Sequence, residues 1–345
     1  MGINRTLFAE IESLLSNYGC SEDGLREFMT LPWDFLRRQE KAIQMVEQIM
    51  IRHGKSDLLH HVVELARIEH GIRELEPRVR DHVVHALLSF ALGVYVNERF
   101  LRPSGHGVDR FQWKLAGLFH DIGYPAQVAK DILRPFTDHV NQIKRDLDVE
   151  VCDVFFRVIP VGLERLASGA NSLDLIQEWL DRWGLDINAR AEYDSMLETG
   201  EVCHGIISSL AVLYVVALMY RRYNRFREYR DIYEPRGVNW NQSYFENHVT
   251  PACAAIFVHN LPPRCFVSTR IDPMRAPLPF LLKLSDCLQD WDRPSAEVPC
   301  GISDNQYDIA CDATKVIFTA HQPDRRDQIA DEIAASLVSD DIEIR

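Results

Sequence analysis

Apolar residues recur at three- and four-residue spacing through most of this sequence, and that periodicity constrains the fold more than any other feature. Residues at such spacing lie on one face of an α-helix, whereas a half-buried β-strand alternates apolar and polar residues. Leu7, Ile11 and Leu14 follow the helical spacing near the start of the chain. The sequence therefore predicts a mainly α fold, with several amphipathic helices in an N-terminal segment over residues 1–70.

Prolines mark where further helices begin. Pro77, Pro251 and Pro279 each fit the first turn of a helix, where the missing amide hydrogen has no partner to lose. Residues 126–200 contain charged helical segments, which we predict to form an insertion or a cover over a site. The other helices predicted for the middle of the chain cover residues 77–100, 113–122, 201–229, 251–260 and 279–292.

The pattern changes near the end of the chain. Residues 306–311 and 315–320 have the composition of two short strands joined by a tight turn. A helix that starts at Pro323 follows them, and residues 342–345 fit a last strand. We therefore predict a small α+β appendage over residues 301–345.

Composition limits the kind of protein that this chain can be. Of its 345 residues 46% are apolar, and 38 basic against 51 acidic residues give a net charge of −13. An apolar share this high can bury a core, which excludes a mainly disordered chain. The acidic excess argues against extended nucleic-acid binding, but it is compatible with a small anionic substrate held by a few local cations.

The sequence also bears on the cellular compartment. No charged-then-apolar leader follows Met1, and the longest apolar run, residues 206–220, is interrupted by Ser208 and Ser209. A membrane span needs roughly 20 apolar residues, so none is predicted. The eight cysteines are dispersed without a CxxC pair, which is typical of reduced thiols and not of a disulfide framework. We expect a cytoplasmic protein without a membrane partner, and a homo-oligomer is compatible with these features.

The histidines carry most of the functional information. His120 is followed by Asp121, and the small Gly117 lies one helical turn before Asp121, which leaves room for a ligand or a metal ion. The dipeptide alone is weak evidence, because a capping aspartate beside a surface histidine gives the same pattern.

His82 and His85 form a second candidate pair. Their three-residue spacing places both imidazoles on one face of a helix whose other residues are mostly apolar. Imidazoles in such a place must be exposed, hydrogen-bonded or bound to a metal. A buried histidine satisfied by hydrogen bonds is the ordinary alternative.

Three more segments contribute donors of the same kind. His204 opens the most apolar helix, His259 ends the helix that Pro251 starts, and Asp286 lies on the polar stripe of a later helix. His248 lies eleven residues before His259, a three-turn spacing, although Pro251 suggests that the helix begins after it. A solvated face is the alternative explanation for Asp286. Together these residues offer imidazole and carboxylate without thiolate, the ligand set of hydrolytic iron, manganese, zinc, nickel or cobalt sites.

The order of these residues resembles the HD-domain superfamily of metal-dependent phosphohydrolases. The similarity implies an HD-type helical bundle as the main domain, over residues 71–300, with the N-terminal segment and the appendage added to it. The matching segments are DHVVHALLSFALG (81–93), LFHDIGYP (118–125), CHGIISS (203–209), IFVHNLPP (256–263) and LLKLSDCLQDWDRP (281–294).

The resemblance implies one or two divalent transition metals. The residues it implies for the first metal are His85 or His82, His120, Asp121 and Asp286. Those for the second metal are Asp121 as a bridge, His204, His259 and, as an extra ligand, His248.

The reaction implied is attack on phosphorus by a metal-activated water, with Asp121 among the catalytic residues. His82 is the candidate general acid, although it precedes His85 by three residues and not by the four found in cyclic-nucleotide phosphodiesterases. Lys114, Arg80 and Arg293 are candidates, from their proximity in sequence, to bind the phosphate or to stabilise the leaving group.

These implications give a functional hypothesis with two alternatives. We predict a phosphohydrolase or phosphodiesterase that acts on a nucleotide or another small phosphate ester. A non-catalytic protein that senses a ligand with the same helices is the main alternative. A diiron oxygenase is a lesser one.

Overall fold

A computed structural model describes most of the chain, and it is mainly helical with one small sheet near the C-terminus. The predicted mainly α fold is therefore confirmed, and so is a C-terminal element that contains strands. The predicted domain boundaries near residues 70 and 300 fall outside the described residues, so the division into units stays a prediction. The described residues are 5–20, 24–30, 35–51, 81–146, 159–166, 168–225, 242–291, 307–320 and 323–345.

Among the described residues before the main bundle, three α-helices occur: α1 (Arg5–Leu15), α2 (Gly24–Thr30) and α3 (Phe35–Ile51). Their apolar faces are buried, as Ile11 and Ile49 show with no exposed surface. The predicted amphipathic character of this segment is therefore present in its described helices.

Eight α-helices of ten residues or more lie in the part of the middle of the chain that the structure describes. They are α4 (His82–Val96), α5 (Arg110–Phe119), α6 (Tyr124–Asp146), α7 (Ser172–Arg182), α8 (Ala189–Thr199), α9 (His204–Arg225), α10 (Thr250–His259) and α11 (Pro277–Leu288). Helices α1 and α3 pack against α4, and α4 in turn packs against α5 and α11. At this junction Gly93 lies against the ring of Trp113, where a Cβ atom would overlap it.

Helix α10 is the centre of the bundle. Every residue from Thr250 to His259 is buried, and the helix contacts α5, α7, α9 and α11. Pro251 lies in its first turn, as predicted, and Ala252, Ala254 and Ala255 are small enough to let neighbouring helices approach closely. This packing places its last residue, His259, in the interior of the protein.

Some helix ends differ from the predicted ones. Helix α5 ends at Phe119, so His120 and Asp121 lie in the turn after it and not on the helix. The reason is that Pro125, which lacks an amide hydrogen, suits the first turn of the new helix α6. Helix α11 begins at Pro277, two residues before the predicted first-turn proline.

Helix α9 is longer than the interrupted apolar run suggested. Its segment His204–Arg221 is long and apolar enough to cross a membrane by length and composition alone. In the folded chain 61% of that segment is buried, and the helix packs against α10 and α6. This degree of burial is typical of a core helix. The expectation that no segment is long and apolar enough to span a membrane was wrong by length and composition.

The C-terminal appendage consists of β1 (Tyr307–Cys311), β2 (Val316–Ala320), α12 (Pro323–Ser336) and β3 (Ile342–Ile344). Strands β1 and β2 are antiparallel, and β3 pairs with β2 in parallel after the crossover through α12. Helix α12 packs against β2 on one side and against α11 on the other. The predicted order of strand, strand, helix and strand is confirmed for these residues.

Charged pairs join the appendage to α11. The guanidinium of Arg325 on α12 donates to Asp290 just past α11, with Nε–Oδ2 and Nη2–Oδ1 distances of 2.9 and 3.3 Å. The side chain of Asp290 is 4% exposed and that of Arg325 14% exposed. Lys283 on α11 also reaches Glu332 on α12, at 3.2 Å.

Replacing Arg325 with Ala should lower the free energy of unfolding by about 3 kcal/mol, because the buried carboxylate of Asp290 then loses its cation. The matched control is Arg326→Ala on the same helix, whose half-exposed side chain pairs with the exposed Asp327 and should change stability by less than about 1 kcal/mol. Urea denaturation followed by circular dichroism measures both values. Equal losses in the two variants would contradict a special role for the Arg325–Asp290 pair.

Candidate metal centre

Five separate segments bring imidazoles and carboxylates together inside the bundle. They are the first turn of α4, the turn between α5 and α6, the first residue of α9, the last residue of α10 and the last turns of α11. All of the side chains are buried except that of Asp286, which is 24% exposed. The six residues are His85, His120, Asp121, His204, His259 and Asp286.

One half of the cluster surrounds Asp286. Nε2 of His85 lies 2.8 Å from Oδ1 of Asp286 and 3.8 Å from Oδ2 of Asp121. Nε2 of His120 lies 3.6 Å from Oδ2 of Asp121 and 3.7 Å from Oδ1 of Asp286. Ligand atoms bound to one metal at about 2.0–2.2 Å are separated by comparable distances. These four side chains could therefore hold a common ion.

The other half surrounds the second oxygen of Asp121. Oδ1 of this carboxylate lies 3.1 Å from Nε2 of His204 and 3.6 Å from Nε2 of His259. The two imidazole nitrogens are 3.2 Å apart. Asp121 thus presents one oxygen to each half, which is the arrangement expected of a carboxylate that bridges two cations.

Hydrogen bonds at the far side of each ring fix which nitrogen faces the centre. In all four histidines Nδ1 lies next to an oxygen that can accept its proton, so each ring can adopt the tautomer in which the lone pair of Nε2 faces the centre. Nδ2 of Asn260 also lies 3.0 Å from Nδ1 of His204, where it would donate to the other tautomer of this ring. For His85, His120, His204 and His259 the acceptors are Gln289 Oε1 (2.6 Å), Gly117 O (3.1 Å), Gln127 Oε1 (2.8 Å) and Ile256 O (2.6 Å).

This arrangement could hold a cation. Nε2 of His120 is buried and has no hydrogen-bond partner in the part of the chain that the structure describes. Nε2 of His204 and Nε2 of His259 lie 3.2 Å apart, so either one donates to the other or a cation lies between them. A metal ion in each half of the cluster would give all three nitrogens a partner. Imidazole with carboxylate suits divalent iron, manganese, zinc, nickel or cobalt, so the residues fit the expected group.

The electrostatics keep the ligands in their metal-binding protonation states. Burial raises the pKa of the Asp121 carboxyl, but His120 and His204 outweigh it and hold this pKa well below its usual range. Burial also raises the pKa of the Asp286 carboxyl, but His120 and His85 outweigh it and hold this pKa well below its usual range. Burial lowers the pKa of His259 to about 4. At neutral pH the two carboxylates are ionised and His259 is neutral, as metal ligation requires.

The turn that carries Asp121 is held tightly against α9. The amide of Gly123 donates to Oγ of Ser208 at 2.8 Å. A Cβ atom at Gly123 would lie 2.7 Å from the carbonyl oxygen of His204, which is closer than real Cβ contacts. Glycine at this position therefore sets the short distance between Asp121 and His204.

His82 lies beside the centre and not within it. Its ring stacks on that of Tyr124 with 3.5 Å between centroids and is 6.4 Å from the ring of His85. It faces a cavity whose lining also includes Asp121. Of the two histidines that the sequence left open as the first ligand, the contacts with Asp286 favour His85.

His248 does not join the cluster, and its prediction as an extra ligand was wrong. Its Nδ1 lies 3.4 Å from Oδ1 of Asp109, the residue that caps the start of α5, whereas His120 follows the end of that helix. His248 lies in the π-helical turn Phe245–Val249 before α10, and His259 is at the far end of that helix, roughly 16 Å away at 1.5 Å per residue. The eleven-residue spacing aligned two histidines along one helix face but separated them by three turns.

Lys114, one of the three predicted phosphate-binding cations, does not lie at the centre. Lys114 is 1% exposed and its Nζ donates to the carbonyl oxygen of Ile49 at 2.7 Å. That partner lies on α3, in the N-terminal segment. Arg80 and Arg293 lie outside the described residues, so their role stays a prediction.

Sequence reasoning missed the residues that orient the imidazoles. Gln289 follows Asp286 by three residues, directly after the end of α11, so its spacing could have suggested it. Gln127 lies in the segment that was predicted to be a cover, and its sequence context gives no signal. Tyr124 was likewise not expected to stack on His82.

Comparison with protein families, with curated proteins and with solved structures gives no match for this chain. The inference of function therefore depends on the geometry of the centre and on the resemblance of its motifs.

Replacing His204 with Ala should reduce the metal content of the protein from two divalent ions to one, because only Asp121 and His259 remain for the second. The control is His248→Ala, which should keep both ions, since this histidine pairs with Asp109. Equilibrium dialysis against Mn²⁺ followed by elemental analysis measures the content, and circular dichroism checks the fold. Identical metal content in the two variants would show that His204 is not a ligand.

Proposed function

We propose that this chain is a metal-dependent phosphohydrolase of the HD-domain type, acting on a nucleotide or another small phosphate ester. The observation that carries the proposal is the position of Asp121 between two groups of imidazoles, one group at each carboxylate oxygen. Divalent metals, when bound, supply Lewis acidity and lower the pKa of water toward about 7. The motif order in the sequence supports the same assignment.

The chain itself contributes the orientation of the ligands. Each imidazole is held from its Nδ1 side, so its Nε2 is aimed at the centre before any ion arrives. Such support for metal ligands is worth about 10- to 100-fold in metal affinity or activity. The tight turn at Gly123 adds rigidity, because the backbone of α9 leaves it no room to move.

His82 is suited to give a proton to the leaving group. It is outside both ligand groups, it shares a cavity lining with Asp121, and its ring is fixed by stacking on Tyr124. A phosphate ester bound beside Asp121 would thus have its ester oxygen near this imidazole. General-acid catalysis of this kind contributes typically about 10²–10⁴ in rate.

The protein, loaded anaerobically with Mn²⁺ or Fe²⁺, should release p-nitrophenolate from p-nitrophenyl phosphate, or inorganic phosphate from nucleotides. Asp121→Ala should lose both metal and turnover while its helical content stays the same, and His248→Ala should keep both. Unchanged turnover in Asp121→Ala would refute the proposal. Bound metal without hydrolysis of any ester would favour the ligand-sensing alternative, and oxygen consumption would favour the oxygenase.

His82→Gln should lower kcat for phenyl phosphate by about 10²–10⁴ but lower kcat for p-nitrophenyl phosphate much less, since p-nitrophenolate leaves without a proton. Its metal content should equal that of the wild type. Steady-state kinetics with the two esters, combined with elemental analysis, gives both quantities. An equal loss with the two esters would mean that His82 does not act as the acid.

A further inference from the structure

The end of α11, residues 283–291, contributes two side chains to one half of the metal centre. We call this half the first metal position, and its candidate ligands are His85, His120, Asp121 and Asp286. Asp286 lies in the last turn of α11, and Gln289 follows the helix and places its Oε1 2.6 Å from Nδ1 of His85. A shift of this helix end would therefore move one ligand and the support of a second ligand together.

Helix α12 of the appendage contacts this helix end on both sides of Asp286. Three residues before Asp286, the ammonium of Lys283 lies 3.2 Å from the carboxylate of Glu332. Four residues after it, Asp290 accepts two hydrogen bonds from Arg325, at 2.9 and 3.3 Å. The candidate ligand therefore lies between two points at which the appendage is attached.

The two ion pairs have matching spacing in the two segments. Lys283 and Asp290 are seven residues apart, and Arg325 and Glu332 are also seven residues apart. Seven helical residues rise about 10.5 Å, which is close to two turns. The order is reversed between the partners, so α12 runs antiparallel to the end of α11 and makes both pairs at once.

The contacts of the helix end with the appendage are largely buried. The side chains of Lys283 and Asp290 are 8% and 4% exposed, and that of Arg325 is 14% exposed. The ring of Trp291, next to Asp290, stacks on Tyr307 of β1 with 5.3 Å between centroids. Because separating a buried ion pair leaves an uncompensated charge, these contacts resist opening. The appendage thus holds the end of α11 through both α12 and β1.

The second metal position, between Asp121, His204 and His259, is built on other elements. His204 opens α9, and His259 ends α10. Nδ1 of His204 faces Gln127 on α6, and Nδ1 of His259 faces the carbonyl oxygen of Ile256 on α10. A change in the contact between α12 and α11 should therefore affect the first position more than the second.

We infer that Arg325 and Glu332 are positioning residues of the first metal position, and that the appendage completes this position by holding the end of α11. The two residues act through Asp290 and Lys283, which lie on either side of Asp286 in the sequence. The inference goes beyond the proposed function, because it rests on the candidate metal centre and not on the reaction that the centre supports.

The first test measures each metal position separately by isothermal titration of the full chain with Mn²⁺. In the His204→Ala variant, which keeps the first position, adding Arg325→Ala should weaken Mn²⁺ binding by about tenfold or more, as loss of support for metal ligands does. In the His85→Ala/Asp286→Ala variant, which keeps the second position, the same change should alter the Kd by less than about twofold. Circular dichroism checks the fold of each variant.

Two further variants serve as a control and as a milder change. Arg326→Ala, on the same helix, removes a half-exposed side chain that pairs with Asp327, and it should leave both positions unchanged. Glu332→Gln should weaken the first position by about threefold, because Glu332 is 41% exposed and such a pair contributes little. If Arg325→Ala does not fold, Glu332→Gln gives the same comparison between the two positions.

The second test asks whether Arg325 acts through the support of His85. In the His204→Ala variant, Gln289→Ala should weaken Mn²⁺ binding by about tenfold, because Nδ1 of His85 loses its acceptor. The loss with Gln289→Ala and Arg325→Ala together should be smaller than the product of the two single losses, as expected of residues that act in one chain of contacts.

Each alternative result overturns the inference. Equal weakening of the two positions would mean that Arg325 stabilises the fold as a whole, and an unchanged first position would mean that the appendage does not contribute to it. A combined loss equal to the product would show that Arg325 and Gln289 act independently. Absence of Mn²⁺ binding in both starting variants would refute the metal centre itself. Neither test uses hydrolysis, so their results are separate from those for the proposed function.

Discussion

Lone pairs on neutral imidazoles repel one another at short range, and this repulsion determines what the centre of the bundle can be. His204 and His259 bring two such nitrogens to 3.2 Å, and each ring has an oxygen at Nδ1 that can accept its proton. In the tautomer with both Nε2 lone pairs inward, positive charge inside the cluster stabilises it in the low-dielectric interior. The two ionised carboxylates strengthen the same requirement, since Asp121 and Asp286 add negative charge to the cluster. A metal ion bound here would therefore add to the stability of the bundle.

Much of the fold could be predicted from the sequence because its signals are local. Pro251 predicted the first turn of α10, and Pro323 predicted the start of α12, since proline is tolerated where helix amides have no partner. The strands β1 and β2 also follow their alternating pattern. Helix ends were less predictable, and α5 ends before His120 because the next helix begins only a few residues later.

The candidate site was predictable only in part, because its assembly depends on contacts between distant segments. The residue types and their order indicated the imidazoles and carboxylates, and the structure brings six of them together. Sequence could not decide between His82 and His85, because both lie on one helical face and only the position of Asp286 distinguishes them. Sequence could not exclude His248 either. Helical spacing tells which residues share a face of the helix, but residues on the same face can still lie several turns apart. The role of Gln127 could not be predicted, because its hydrogen-bond partner His204 is 77 residues away in sequence.

The end of α11 has a mechanical consequence for the whole chain. Gln289 receives the Nδ1 proton of His85, and the adjacent Asp290 receives the guanidinium of Arg325. Gln289 and Asp290, which are adjacent in sequence, therefore connect the candidate metal centre to the appendage. A displacement of α12 would therefore move Asp290 through Arg325, and the adjacent Gln289 would move the ring of His85 with it.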